Sequence, residues 1–304
     1  MSDVRQYSSP PRRSLRIAHL TDIHLQPERS APEGLIACLS HVHSLPDRPD
    51  LILNGGDAVM DTVSADAPRA GLLWDLWDRI LGEHCAIPIA HCLGNHDLWG
   101  YNKKRSGCTG REPLFGKRWA MQRLRLSAPY YSFDRGGWRF LVLDSNFMDE
   151  AGSFTARLDA EQMQWLRDTL ASTPPSTPVL VLSHVPILAG ASVFLTGSEG
   201  ETEKTGEWVV PGQWMHVDAR PLSRLFAAHG NVRLCLSGHT HLYDRMDYRG
   251  TTYLGGGAVS GLWWRAGYWE TPPGYLLIDL FEDGSFYHEY LPTGWQPVPY
   301  HKGL

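Results

Sequence analysis

The chain has 304 residues, 42% of them hydrophobic, and a formal net charge of −5 from 28 basic and 33 acidic side chains. A chain of this length buries a large core, and without long runs of either sign the charge argues against a nucleic-acid or membrane-binding surface. The expected partner is a small molecule.

No apolar stretch approaches the roughly 20 residues needed to cross a bilayer. Cys38, Cys85, Cys92, Cys108 and Cys235 form no Cys-x-x-Cys pair, and an odd count closes no disulfide framework. A reducing, cytoplasmic setting is the simpler reading. Arg12-Arg13 has the look of a twin-arginine signal, but Ser14 to Leu20 lacks a clean apolar region and leads directly into a polar cluster.

Residues 1–13, rich in Ser, Pro and Arg, read as a flexible leader, and 14–304 as one domain. Leu15 to Leu20 predicts a strand that ends at Asp22-Ile23-His24. A helix follows from Pro32-Glu33, with Leu35, Ile36, Leu39, Val42 and Leu45 at helical spacing and Pro46 closing it. Leu51 to Leu53 is a buried strand with Asp57 just past its end. Pro68 opens the next helix, and strand Ile87 to Leu93 leads to Gly94-Asn95-His96-Asp97. Trp138 to Leu143 is a further strand; Asp159 and Gln162 then form a capping-box arrangement, with Leu158 able to staple the helix start. Val179 to Leu182 runs into Ser183-His184, and after a helix near Leu222 to Ala228, Val232 to Leu236 runs into Gly238-His239-Thr240-His241.

The C-terminal quarter shows strands at Thr251 to Leu254, Tyr275 to Leu280 and Ser285 to Tyr290, with no helical segments. They are expected to extend a second sheet packed on the first. The fold class is therefore α/β, a layered αββα sandwich of two mixed sheets flanked by helices.

Five polar clusters thus follow five strands. Ligands in α/β sheets gather beyond the carboxyl ends of strands, so this order brings distant side chains to one crevice. Any single cluster is what a structural histidine or aspartate produces; five in this order are not. Imidazoles mixed with carboxylates suit transition metals rather than magnesium or calcium.

On these motifs the chain resembles the calcineurin-like metallophosphoesterase superfamily, over about residues 15 to 241. It looks most like the class III cyclic nucleotide phosphodiesterase branch, which also holds glycerophosphodiesterases. The resemblance implies that Asp22, His24 and His241 bind one metal, that Asn95, His184 and His239 bind the other, and that Asp57 bridges both. His96 would face the substrate phosphate or leaving group, Asn95 would help to stabilise phosphoryl charge, and Asp97 would orient His96. Purple acid phosphatases carry a tyrosine three residues after the bridging aspartate, where this chain has Met60; a ferric-tyrosinate centre is not expected. Asp61, a candidate for the further acidic residue of the class III branch, is left outside the site.

The implied activity is hydrolysis of a small organic phosphodiester, a cyclic nucleotide or glycerophosphodiester, by a hydroxide shared between two transition-metal ions (manganese, iron or zinc). The near alternative is a phosphomonoesterase or nucleotide phosphatase on the same site. A non-catalytic protein-binding scaffold is the alternative from another class, and it requires the donors to have decayed. Two loops bear on the substrate. Residues 98–125 carry Lys103, Lys104, Arg105, Arg111, Lys117, Arg118, Arg123 and Arg125, charges that attract phosphate or simply meet water. Residues 189–216 have the length of an active-site cover or a homodimer contact, and Trp208, Trp214 and His216 within them, like Gly261-Leu-Trp-Trp264 later, offer rings to a base.

Overall fold

Short apolar runs separated by amphipathic segments build two sheets back to back with helices outside each. The computed structural model describes residues 11–149, 153–195 and 204–296. The proposed leader therefore lies outside the described residues over 1–10, as does the middle of the 189–216 loop over 196–203.

The first half winds β1 (Arg13–Leu20), α1 (Ala31–Ser44), β2 (Leu51–Asn54), α2 (Ala67–His84) and β3 (Ile89–His91). The strands β1, β2 and β3 are parallel neighbours, the arrangement that helical crossovers impose. Asp66 starts α2, its carboxylate accepting the Arg69 N–H at 2.9 Å. Through the 98–125 loop run two short helices, α3 (Lys103–Ser106) and α4 (Lys117–Arg123).

Next come β4 (Tyr131–Arg135), β5 (Trp138–Val142), β6 (Asn146–Met148), β7 (Phe154–Ala156), α5 (Ala160–Ser172), β8 (Val179–Leu182), α6 (Ala219–His229) and β9 (Val232–Ser237). Asp159 caps α5 by accepting the Gln162 N–H at 2.8 Å. The other half of the expected capping box is replaced: the Gln162 side chain bonds the Asp144 backbone in both directions, N–H to Oε1 at 2.9 Å and Nε2–H to carbonyl at 3.0 Å. It pins the turn after β5.

The chain then makes β10 (Tyr243–Tyr248), β11 (Thr251–Gly256), β12 (Gly274–Phe281) and β13 (Phe286–Pro292). Among the described residues one sheet has the order β13-β12-β1-β2-β3, the other β10-β11-β9-β8-β5-β4, and β6 and β7 form a separate pair. The C-terminal strands were expected in the second sheet. Only β10 and β11 join it; β12 pairs antiparallel with β1, Ile17 opposite Ile278, and carries β13 with it.

Successive side chains of the central strands enter different layers. Phe140 and Val142 point between the sheets with Leu180, Leu182, Leu234, Leu236, Ile17 and Leu53. Leu141, Leu143, Val181 and Cys235 point outward beneath Leu166, Leu170, Leu222 and Phe226 of α5 and α6. On the far side, Leu35, Leu39, Leu73, Trp74 and Trp77 of α1 and α2 cover the first sheet. Burial on both faces is why these strands read as unbroken apolar runs.

Candidate metal centre

The loops leaving β1, β2, β3, β8 and β9 meet at one end of the two sheets and bring all seven expected donors together. Three groups have donor atoms mutually within 4.8 Å: Asp22, His24 and His241; His24, Asp57 and His96; Asp57, His184 and His239. His24 Nε2 lies 3.1 Å from His241 Nε2 and 3.8 Å from Asp22 Oδ1, which is 3.3 Å from His241 Nε2. Asp57 Oδ2 stands between two imidazoles, 3.6 Å from His24 Nε2 and 3.3 Å from His184 Nε2. Asn95 Oδ1 is 3.1 Å from His184 Nε2. Donors about 2.0–2.2 Å from a tetrahedral ion stand roughly 3.3 Å apart, so the spacing fits one cation in the first group and another in the third.

The surrounding backbone selects the atoms that face inward. His241 Nδ1–H donates to the Gly261 carbonyl at 2.6 Å and His184 Nδ1–H to the Gly55 carbonyl at 2.9 Å, leaving each Nε2 as a lone pair aimed at the centre. Asp22 accepts the His239 N–H on both oxygens, at 2.9 and 3.0 Å, and Asp57 Oδ1 accepts the His96 N–H at 2.8 Å. His239 Nε2 is buried with no hydrogen-bond partner among the described residues. A bound cation is the partner such an atom lacks.

Two glycines permit these approaches. A Cβ on Gly94 would stand 2.1 Å from both the N and the Oδ1 of Asp57, and one on Gly238 would stand 2.0 Å from Thr21 Oγ1 and 2.1 Å from Asp22 Oδ2.

Burial opposes the charge of Asp22 and Asp57, but His241 beside the one and His184, His96 and His24 around the other hold both carboxyls well below the usual range. Burial lowers His239 to about 3 and takes His24 well below its ordinary value. In His184 burial is outweighed by Asp57, which lifts the imidazole to about 9. A cation entering this site displaces that proton.

His96 is partly buried, its ring edge-on to His24 at 4.9 Å. Burial works against its charge, yet Asp57 and Asp61 raise it to about 9, and its Nδ1 lies 3.5 Å from Asp61 Oδ1. The carboxylate beside His96 is thus Asp61, a residue the sequence reading left outside the site. Asp97 instead accepts the Gly94 N–H at 2.9 Å and the Val59 N–H at 3.3 Å, fixing the turns that carry Asp57 and Asn95.

The aromatic residues divide. Trp214 packs 5.0 Å and Phe154 6.0 Å from His239, while Trp263 and Tyr268 lie 5.6 and 5.9 Å from His241. Trp208 is exposed against Phe194. His216 is structural, its ring held between Ser183 Oγ at 3.1 Å and Asp218 Oδ1 at 2.8 Å. In the 98–125 loop, Lys117 pairs with Asp144 and Arg123 with Asp75 and Asp78, so those charges serve the scaffold.

The family model of calcineurin-like phosphoesterases matches residues 15–243. The chain is 31% identical over 280 residues, 90% of each chain, to a probable cyclic nucleotide phosphodiesterase of a Synechococcus species. It is 25% identical to the 3′,5′-cyclic adenosine monophosphate phosphodiesterase of Escherichia coli K12, over 79% of this chain and 74% of that one. In fold it is similar to a dimetal phosphatase from Danio rerio, with a TM-score of 0.60 at 14% identity over 91% of this chain and 99% of the other.

Proposed function

The chain belongs to the calcineurin-like phosphoesterase family, and on that premise we propose that it is a binuclear metal-dependent phosphodiesterase of small organic phosphodiesters, with 3′,5′-cyclic nucleotides the favoured class. One observation carries the reading: Asp57 Oδ2 lies between His24 and His184, which belong to different donor groups. A single carboxylate oxygen shared in this way suits two ions at the short separation of two-metal hydrolases, about 3.5–4 Å.

Asp22, His24 and His241 would hold one ion, Asn95, His184 and His239 the other, and Asp57 both. Imidazole with carboxylate favours manganese, iron or zinc over calcium or magnesium. When bound, such ions act as Lewis acids on the phosphoryl oxygens and lower the pKa of water to make a nucleophile. The residues do the rest. His96, protonated beside Asp61, is the general acid that donates to the leaving alkoxide, and the Asn95 amide helps to hold the phosphoryl group. Two divalent ions against the carboxylates of Asp22 and Asp57 leave a cationic seat, which favours an anionic ester over a neutral one.

Relatives named cyclic nucleotide phosphodiesterases support the substrate class. Free thiols at all five cysteines support a reducing, cytoplasmic setting. No helix among the described residues is long and apolar enough to cross a membrane.

The test is metal per chain together with hydrolysis of 3′,5′-cyclic AMP, bis(4-nitrophenyl) phosphate and 4-nitrophenyl phosphate, with and without manganese. About two ions and diester cleavage abolished in Asp57→Ala are expected. Faster cleavage of the monoester than of either diester moves the assignment to a phosphomonoesterase. Metal-free protein that manganese cannot activate overturns it in favour of a scaffold.

A further inference from the structure

After β11 the chain closes over the Asp22, His24 and His241 group in a loop fixed at several points. Ser260 Oγ–H donates to the Asp22 carbonyl at 2.7 Å, and the Gly261 carbonyl accepts from His241. Trp264 is fully buried, its indole N–H directed to the carbonyls of Ile23 at 2.8 Å and His24 at 3.1 Å. Its ring fills the space above Gly34, where a Cβ would lie 2.2 Å away.

With Trp264 anchored inward, its neighbour turns to the metal centre. Trp263 and Trp264 both have left-handed backbone, φ 49° and 66°, a conformation uncommon for bulky side chains. It sets the Trp263 ring edge-on to His241 at 5.6 Å and to His24 at 6.2 Å. The Trp263 Nε1 is buried and has no hydrogen-bond partner among the described residues, unlike that of Trp264. Tyr268, 5.9 Å from His241 and stacked on the exposed Trp269 at 5.5 Å, extends the same wall outward.

A rigid aromatic wall beside the phosphate seat, with one unused donor in it, is a recognition surface for what the phosphate carries. We propose that Trp263 is a specificity-determining residue, its indole N–H donating to the organic substituent of the diester while its ring and that of Tyr268 pack against it. The group selected is a planar ring with acceptor atoms on its edge, as in a nucleobase. Such a ring covers the aromatic faces at small entropic cost and meets the donor. A flexible polyol would lose water from hydroxyls that the rings cannot satisfy. This inference rests on the phosphodiesterase reading and names the residue that would select its organic substituent.

The test uses the zinc-loaded, ¹⁵N-labelled full chain, with the Trp263 indole N–H resonance identified by its loss in Trp263→Phe and again in Trp263→Tyr. Titration with 5′-AMP is expected to shift that resonance, whereas inorganic phosphate is not. An equal shift with inorganic phosphate assigns the donor to the phosphoryl group and overturns the proposal, as does no shift with either. In kinetics Trp263→Phe is expected to raise KM for 3′,5′-cyclic AMP about fivefold, the effect of one lost hydrogen bond, with kcat nearly unchanged. An unchanged KM, or a fall in kcat alone, also overturns it. The two readings fail separately: a wild type that cleaves no diester defeats the function, and one that cleaves diesters with an indifferent Trp263 defeats only this inference.

Discussion

Asp22, His24, Asp57, Asp61, His239 and His241 all have left-handed backbone, with φ between 47° and 68°. For non-glycine residues such conformations cost on the order of 1–3 kcal/mol each, and here they recur on the side chains that form the centre. Local propensity does not produce this pattern. It is imposed by the strand ends and by backbone bonds such as Asp22 N–H to Gly56 O at 3.1 Å and His24 N–H to Asp57 O at 2.8 Å. Asp61 owes its place beside His96 to this backbone. If it positions the general acid, Asp61→Asn should lower kcat about 10- to 100-fold, the range for partners that orient active-site groups, while metal content stays at the wild-type value. Asp61→Glu should recover part of the rate. Equal loss in both variants, or loss of metal, would make Asp61 a purely structural residue. The convergence of the seven expected donors was legible because Asp-x-His, Gly-Asp, Gly-Asn-His and Gly-His-x-His carry six of them and His184 follows the apolar run Val179 to Leu182. The partner of His96 was not: Asp97 is adjacent in sequence, but the turn points its carboxylate at Gly94 and Val59, and Asp61 arrives from another loop.

Strands buried on both faces were legible, whereas the half-exposed β4 and β10 were not. The residues Tyr243 to Tyr248 of β10 alternate between exposed and half-buried, and Tyr131 to Arg135 of β4 do the same. Both are edge strands whose apolar content is too low to mark them. The strand read as Ile87 to Leu93 contracts to the three residues of β3, because only Ile52, Leu53 and Asn54 of β2 offer it a partner. Its last residue, His91, accepts from the Asn54 amide at 3.2 Å, and Asn54 Oδ1 accepts the Gly56 N–H that precedes Asp57. Burial lowers His91 to about 4, so the folded protein keeps it neutral where the unfolded chain, near 6.5, takes up a proton. The unfolded state then binds more protons between about pH 6.5 and 4, and stability falls as pH falls through that window. In denaturant titrations of metal-free protein, His91→Gln should flatten this decline relative to wild type. Parallel curves for the two proteins would show that His91 does not contribute to it.

Across the whole molecule, the pairing of β1 with β12 was the feature that sequence could not supply. A local apolar pattern announces a strand but not its neighbour, and this one joins segments about 260 residues apart: Arg16 and Asp279 meet side by side, Nε to Oδ1 and Nη2 to Oδ2 both at 2.7 Å. A paired guanidinium and carboxylate at a largely covered position contributes about 1–3 kcal/mol. Asp279→Asn should therefore lower Tm by several degrees, read by calorimetry, without altering the proposed metal ligands themselves. An unchanged Tm would mean that backbone pairing alone holds the two strands.

That same pairing imposes an order on events in the cell. A ribosome delivers the chain from its N-terminal end, so Asp22 leaves the exit tunnel well before Tyr275 to Leu280, which close the exposed edge of its strand. Until then β1 presents unpaired amides to any passing strand. The centre therefore waits for β12: a nascent fragment ending before it can contain all seven expected donors and still lack the frame that holds the first of them in place.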